Sequence, residues 1–322
     1  MINYPIKFEP ILKEKIWGGN KLKNVLCKNT TQNNIGESWE IADVDQDVSI
    51  VANGIAKGTS LKELINYYKS SLLGRKNYKA FGEKFPLLIK FIDADKDLSI
   101  QVHPDDNVAK RRHNSFGKTE MWYVMQADKN ANLIVGFEEE ISKQDYVNHL
   151  NNNSLESILH YERVNPGDSF FINAGKVHAI GAGVLLAEIQ QTSDITYRLY
   201  DWNRKDVNGK SRDLHTEEAL DVIEFSNKND YKKTYDRSAN ETSTIAACPY
   251  FTTNFTLISG ELTKDYCNLD SFVVYVCTKG EGRVSVDDHS ETIKEGETIL
   301  LPAMVNKVHI HSDYCELLEV FI

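Results

Sequence analysis

Short alternations of apolar and polar side chains, broken by Gly, Pro, Asn or Asp, recur along both halves of the chain. Residues two apart on a strand share a face, so such runs predict short β-strands with one apolar side. They fall at 38–44, 87–92, 98–103, 120–126, 132–137, 169–173 and 185–191, and again at 252–259, 272–277, 282–286, 298–302 and 316–321. Helical periodicity is confined to three inserts: 60–70 after a Thr59 cap, 142–153 from a Ser142 cap, and 215–225, with Thr216 and acids in its first turn. The polar stretch 226–244 reads as the longest irregular connection. The pattern therefore predicts a mainly β protein with a larger module at 1–225, a connection at 226–244 and a smaller module at 245–322.

An internal repeat supports related modules. VNPGDSFFINAGKVHAI (164–180) can be laid over IKEGETILLPAMVNKVHI (293–310), each with a Gly-acid turn, an apolar strand, a turn and Lys-Val-His. The match needs a two-residue gap, since Gly167 to His178 spans 11 positions and Gly296 to His309 spans 13. Two short-stranded modules in one chain point to barrels or jelly rolls that enclose a site.

Composition narrows the class. A chain of 322 residues can bury a large core, and 15 Tyr and 13 Phe with only 7 Pro argue against long disordered linkers. The N-terminal MINYPIKFEPILKEKIWGG has no basic segment followed by a long apolar run, and no window approaches 18 apolar residues, so neither a signal peptide nor a membrane span is expected. Five widely spaced cysteines without a C-X-X-C pair fit a reduced, cytoplasmic protein. A formal charge of −10 disfavours nucleic acid and anionic membrane as partners, yet leaves room for a local basic pocket that takes a small anion.

Candidate chemistry begins at LSIQVHPDD (98–106), where Ser99, Gln101 and His103 alternate with Ile100 and Val102. The polar face of such a strand is either wet or chemically occupied, and a strand bordering solvent gives the same pattern. Further on, Lys118 and Glu120 share a face in GKTEMWYV, and His178 lies in NAGKVHAIGAG. Gln101, His103, Glu120 and His178 supply an amide oxygen, a carboxylate and two imidazoles. That set suits a borderline divalent ion, Zn²⁺ first, and the absence of thiolates points to a catalytic ion rather than a closed structural one. His113, His149 and His160 read as surface residues. His309 and His311 alternate on a strand without a Gln-X-His pair and a following Glu, so the second module reads as a metal-free copy.

Taken in order, LSIQVHPDD, GKTEMWYV, PGDSFFINAGKVHAIGAG and AEIQQTSDITYRLYDW, with KIWGG (15–19) and GESWEIAD (36–43) ahead of them, resemble the type I mannose-6-phosphate isomerases, zinc-dependent cupins, in their short bacterial form. The likeness covers the N-terminal two thirds by motif and the rest by architecture. It implies a mainly β fold of two cupin-type jelly-roll β-barrel modules with a few helical inserts, and one Zn²⁺ per chain on Gln101, His103, Glu120 and His178. The implied reaction interconverts D-mannose 6-phosphate and D-fructose 6-phosphate through an enediolate. Arg198 matches the family's catalytic arginine, Ser99 and Lys90 match positions that hold phosphate, Lys118 and Glu188 line the same pocket, and Trp17 lies near its mouth. Glu188, a hydroxide on the metal and Lys118 are each candidates for moving the proton.

Each assignment has a rival. Arg198 can pair structurally with Asp194 or Asp201, Glu188 can be a solvent-facing strand residue, Lys90 can meet another charge, and Trp17 can be a core anchor. At the level of function the rivals are an Fe(II) dioxygenase, which a fourth protein ligand at Gln101 disfavours, a non-catalytic sugar-phosphate sensor, and an isomerase of another sugar phosphate. The expected partner is a small sugar phosphate, the expected state a monomer or weak homodimer.

Overall fold

The computed structural model describes residues 2–205, 208–226 and 231–322. The expected connection at 226–244 includes residues 227–230, which lie outside the described residues. Three large sheets hold most of the strands. A seven-stranded sheet runs in the order Lys232–Lys233, Ser169–Ile172, Glu120–Ala127, Val184–Gln191, Leu87–Ala94, Ile11–Gly19, Ile35–Ile41. A five-stranded sheet follows the order Leu159–Arg163, Asn132–Phe137, His178–Ile180, Ile100–Val102, Tyr197–Tyr200. The C-terminal part forms a six-stranded sheet built on Thr252–Asp265, Lys307–Phe321 and Val273–Val286.

The middle of the seven-stranded sheet is covered on both faces, which explains why LLIKFIDA and VLLAEIQQ read as nearly continuous apolar runs. Trp122, Val124, Ile92, Ala94, Val184 and Leu186 share one core with Leu133, Val135 and Ile180 of the five-stranded sheet. Their neighbours of opposite parity, among them Met121, Tyr123, Leu87, Phe91 and Ile189, pack instead against Phe255, Val274, Val276 and Leu318 of the C-terminal sheet. Three of the charged breaks in these strands, Lys90, Glu120 and Glu188, have the parity of the first core, whereas Asp93 has the other. The far side of the five-stranded sheet carries Ile100, Val102, Ile134, Tyr197 and Leu199, covered by Tyr146 of the helix Lys143–Asn151 and by Ala219 and Ile223.

Local chemistry accounts for the departures from the expected elements. The helix Leu61–Tyr68 is capped by Ser60, not Thr59: Ser60 Oγ accepts from the Glu63 N–H at 3.2 Å and the Glu63 carboxylate accepts from the Ser60 N–H at 2.9 Å. Only Ser60 has a glutamate three residues on to close that box. The helix expected at 215–225 shrinks to Thr216–Ala219, because the backbone then turns so that the Glu224 N–H reaches the Gly175 carbonyl at 2.8 Å. Asp106–His113, capped by Asp105, escapes periodicity because only Ala109 of DNVAKRRH is buried. The strands expected at 272–277 and 282–286 are one bulged strand, Val273–Val286, in which Gly280 holds φ +76°. All five cysteines are free thiols. Among the described residues, no helix is long and apolar enough to cross a membrane.

Phe255 is 1 % exposed and stacks on Tyr123 with ring centroids 6.2 Å apart, joining the C-terminal sheet to the seven-stranded one. Phe255→Ala is expected to cost about 3–5 kcal/mol in denaturant-induced unfolding. A loss under about 1 kcal/mol, the range of ordinary surface changes, would show that this interface does not hold the two parts together.

Candidate metal centre and substrate cavity

Register brings the chemistry-bearing side chains into two facing rows. On the five-stranded sheet, His178 and Arg198 both lie opposite Gln101, from the strands on either side of it. On the seven-stranded sheet, Glu188 lies opposite Lys90 and Trp122, and Gln190 opposite Glu120. Because cross-strand partners point to the same face, neighbouring strands deliver these groups to one space between the sheets.

At its floor the rings of two histidines are fixed by their outer nitrogens. His103 Nδ1 donates to the Ile195 carbonyl at 3.0 Å and His178 Nδ1 to the Lys176 carbonyl at 2.8 Å. A carbonyl only accepts, so each Nε2 is left as a lone pair. The two Nε2 atoms stand 3.1 Å apart, and each is 3.4 Å from one oxygen of Glu120. Glu120 is fully buried, and neither carboxylate oxygen has a hydrogen bond. Lone pairs and an orphaned carboxylate do not converge without a positive charge between them. The Gln101 amide nitrogen is placed 3.3 Å from His178 Nε2, and a 180° turn of the amide presents its oxygen there instead. Lys118 Nζ lies 3.1 Å from His103 Nε2 and 3.4 Å from Glu120.

Electrostatics keep these groups in ligand form. Burial and the Lys118 ammonium push His103 down to about 3, and burial also lowers His178, although Glu120 works the other way. Burial alone would raise Glu120, but the Lys118 ammonium works against it and the carboxyl is held well below its usual range. Two neutral imidazoles, one carboxylate and an amide oxygen fit Zn²⁺. The His103, Glu120 and His178 ligand atoms all lie within 4.8 Å of one another.

Above this floor is a cavity of about 250 Å³ whose lining includes Trp17, Lys90, Ser99, Gln101, Lys118, Glu188 and Arg198. Trp17 also belongs to the core, packed with Ile92 and Ala94, so it serves both readings. Glu188 is 2 % exposed and therefore not a solvent-facing strand residue. Its Oε1 pairs with Lys90 Nζ at 2.9 Å and its Oε2 accepts from Trp122 Nε1 at 2.7 Å. Lys90 does meet a charge: besides Glu188 it faces Glu37 at 3.9 Å, which is itself 3.1 Å from Lys15. Burial and the charge of Glu120 raise Glu188 despite Lys90, whereas Lys90, which burial would lower, is held charged by Glu188 and Glu37. Arg198 pairs with neither Asp194 nor Asp201 among the described residues, since the carboxylate of Asp201 is held by Arg204 and Arg212. Instead its Nη1 donates to the Asp213 carbonyl at 2.8 Å and its buried Nε has no acceptor.

Glu37, Lys15, Asp194, Thr196 and Arg212 also line the cavity and were not legible as site residues. Glu37 and Trp39 alternate in GESWEIAD as Lys15 and Trp17 do in KEKIWGG, which is a usable strand signal. Arg212 sits in a loop with no local pattern. His113, His149, His160, His309 and His311 stay outside the cluster. A larger cleft of about 880 Å³, between the N-terminal segment and the C-terminal sheet, holds none of the converging groups.

Known proteins share this architecture. The family described as phosphomannose isomerase type I, catalytic domain, matches residues 6–132, and the mannose-6-phosphate isomerase cupin domain matches 240–322. The chain is 36% identical over 305 residues to a mannose-6-phosphate isomerase of Bacillus subtilis, covering 94% of each. It is 33% identical to a mannose-6-phosphate isomerase of Streptococcus mutans, covering 96% of each. The crystal structure of a Bacillus subtilis mannose 6-phosphate isomerase superposes with a TM-score of 0.90 at 32% identity, over 99% of this chain and all of that one.

Two measurements probe the site directly. His178→Ala, verified as folded by circular dichroism, is expected to carry less divalent metal through a desalting column than the unaltered chain, as read by elemental analysis; equal metal content in the two would remove His178 from the candidate ligand set. Glu37 is lowered from 4.5 to about 2, because Lys90 and Lys15 outweigh its burial. Its stabilisation, on the order of 3 kcal/mol, is therefore present above pH 4.5 and lost as pH falls towards 2. Glu37→Gln should flatten the acid limb of stability against pH in that window, and an unchanged slope would contradict the pairing.

Proposed function

This chain belongs to the type I mannose-6-phosphate isomerase family, and we propose that it interconverts D-mannose 6-phosphate and D-fructose 6-phosphate with one Zn²⁺ per chain on Gln101, His103, Glu120 and His178. The observation that carries the reading is the fully buried Glu120 carboxylate, without a hydrogen bond, facing two inward imidazole lone pairs at the floor of a polar cavity. Bound there, the ion would act as a Lewis acid toward the sugar's C1 and C2 oxygens.

Aldose–ketose interconversion removes the C–H proton next to the carbonyl and returns it to the adjacent carbon through an enediolate. Arg198, beside Gln101 in register, supplies a fixed positive charge for the oxygen that becomes negative. Glu188 and Lys118 are the chain's own groups placed to move the proton. Glu188 is kept near the metal ligands by Lys90 and Trp122, and its raised pKa suits a base that must also return a proton. Lys118 stands against His103 and Glu120. Ser99, one pleat beyond Gln101 from His103, takes a substrate oxygen, and Trp17 lies near the mouth.

We assign catalysis to 1–225 and a metal-free supporting role to 245–322, with 226–244 as the connection, in a cytoplasmic monomer or weak homodimer. Five free cysteines support a reducing compartment.

The deciding experiment measures fructose 6-phosphate formed from mannose 6-phosphate before chelation, after it, and after zinc is restored. Activity should vanish and return. Arg198→Ala should retain zinc and lose roughly 10²–10³-fold in turnover, as expected for a preorganised oxyanion contact; full activity in that variant would end its assigned role. A zinc-loaded protein inert towards mannose 6-phosphate would move the assignment to another sugar phosphate.

A further inference from the structure

An open-chain hexose 6-phosphate carries its phosphate on C6, at the opposite end from the reacting C1 and C2. With those carbons at the metal ligands, the phosphate must be met at the other end of the cavity, by positive charge that carboxylates have not already neutralised. The lysines do not qualify. Lys90 is committed to Glu188 and Glu37, Lys15 to Glu37, and Lys118 to Glu120. A phosphate brought to Lys90 would face two buried carboxylates.

The opposite wall is different. Two guanidiniums hold one buried carboxylate, Asp201, which is 6 % exposed, and the Arg198 guanidinium feels the charge of all three. Arg212 binds it through Nε at 2.7 Å and Nη2 at 2.5 Å, and Arg204 Nη2 shares Oδ1 at 2.5 Å. Among the described residues, Arg212 Nη1 has no hydrogen-bond partner. Arg198 has no ion pair among the described residues, and its Nε N–H is buried without an acceptor. Burial and the charge of Arg212 together push the Arg198 guanidinium below its ordinary pKa, the mark of crowded cations. Among the described residues, the further carboxylates at this end, Asp194 and Asp213, are exposed. Arg198 and Arg212 line both the 250 Å³ cavity and an adjoining one of about 380 Å³, whereas Arg204 lines neither.

We propose that Arg212 is the specificity-determining contact for the substrate's phosphate, binding it through the edge that Asp201 leaves open, with the Ser99 hydroxyl as a further donor, while Arg198 stays with the reacting oxygens beside Gln101. The inference rests on the sugar-phosphate reading above and moves the phosphate from Lys90, where family resemblance puts it, to Arg212. Lys90 then serves to hold Glu188.

The test pairs steady-state kinetics with calorimetric binding of fructose 6-phosphate and of inorganic phosphate as a competitor. Arg212→Gln is expected to raise KM and weaken both bindings by roughly 10- to 100-fold, as for a lost charged hydrogen bond, with zinc content unchanged and kcat within about threefold. Arg212→Lys, which keeps a cation against Asp201 but no bidentate fork, should fall between, and carries the test should the glutamine variant fail to fold. Arg204→Gln removes the other partner of Asp201 and should leave KM unchanged. Equal effects from Arg204→Gln and Arg212→Gln, or a fall in kcat at constant KM, would make Arg212 a structural residue and overturn the proposal. Arg212-dependent binding of fructose 6-phosphate by a wild-type chain that does not isomerise mannose 6-phosphate would retire the proposed reaction and leave this inference standing; isomerisation with a KM indifferent to Arg212 would do the reverse.

Discussion

A fully buried carboxylate with no hydrogen-bond donor is among the costliest things a fold can contain, and Glu120 is one. Its position follows from strand parity: on Glu120–Ala127, the residues two and four further on, Trp122 and Val124, are core residues between the sheets, so Glu120 must point there too. The compensation comes from across the gap, where Lys176 and Ile195 carbonyls orient two imidazoles so that their lone pairs face the carboxylate. Lys118 offsets part of the charge, but an ammonium 3.1 Å from one imidazole cannot satisfy both carboxylate oxygens and both rings. A divalent ion could, and the facing arrangement of the two sheets is what brings His103, Glu120 and His178 together.

Rigidity at that floor comes from behind it. The strands carrying Lys90, Glu120 and Glu188 bury their opposite faces against Phe255, Val274 and Leu318. The C-terminal module therefore contributes to the site without placing a residue in it, by covering a sheet that would otherwise expose Leu87, Phe91, Met121 and Ile189. Its own histidines, His309 and His311, take the exposed parity of Lys307–Phe321, alternating with buried Val308 and Ile310. A weak repeat between the two halves is then expected, since both need a two-faced β framework.

The alternation Ser99-Ile100-Gln101-Val102-His103 made one face of a strand readable, because a period of two assigns side chains to faces with no knowledge of partners. For the same reason Lys118 and Glu120 were legible together. Lys90 and Glu188 stood out as charges inside apolar runs, yet sequence could not say that they would meet each other, since their contact depends on two strands 98 residues apart in the chain lying in register. Helix starts were legible where a side chain closes a cap within three residues, as Ser142 does with Asp145, and misplaced by one where two hydroxyls adjoined, at Thr59 and Ser60. Asp106–His113 left no signal because a helix with one buried residue has no periodicity to show. Arg212 was invisible for a deeper reason: a loop has no period, and its neighbours Asp201 and Arg198 are fixed only once the edge strand Tyr197–Tyr200 is docked.

Charge accounting across the cavity ties these features together. On the seven-stranded side, Lys15, Lys90 and Lys118 are balanced by Glu37, Glu188 and Glu120, so that wall is close to neutral although densely charged. Balanced buried pairs contribute little net attraction to a ligand but fix geometry well, which suits groups that must stay put while a proton moves between two carbons. On the edge-strand side, among the described residues, the guanidiniums of Arg204 and Arg212 share the one carboxylate they hold, and a guanidinium cannot shed its proton to relieve the crowding. An imbalance kept on one wall only gives the cavity a direction. An elongated anion lying with its charged end towards Arg212 would leave its uncharged end to Arg198, Gln101, His103 and His178.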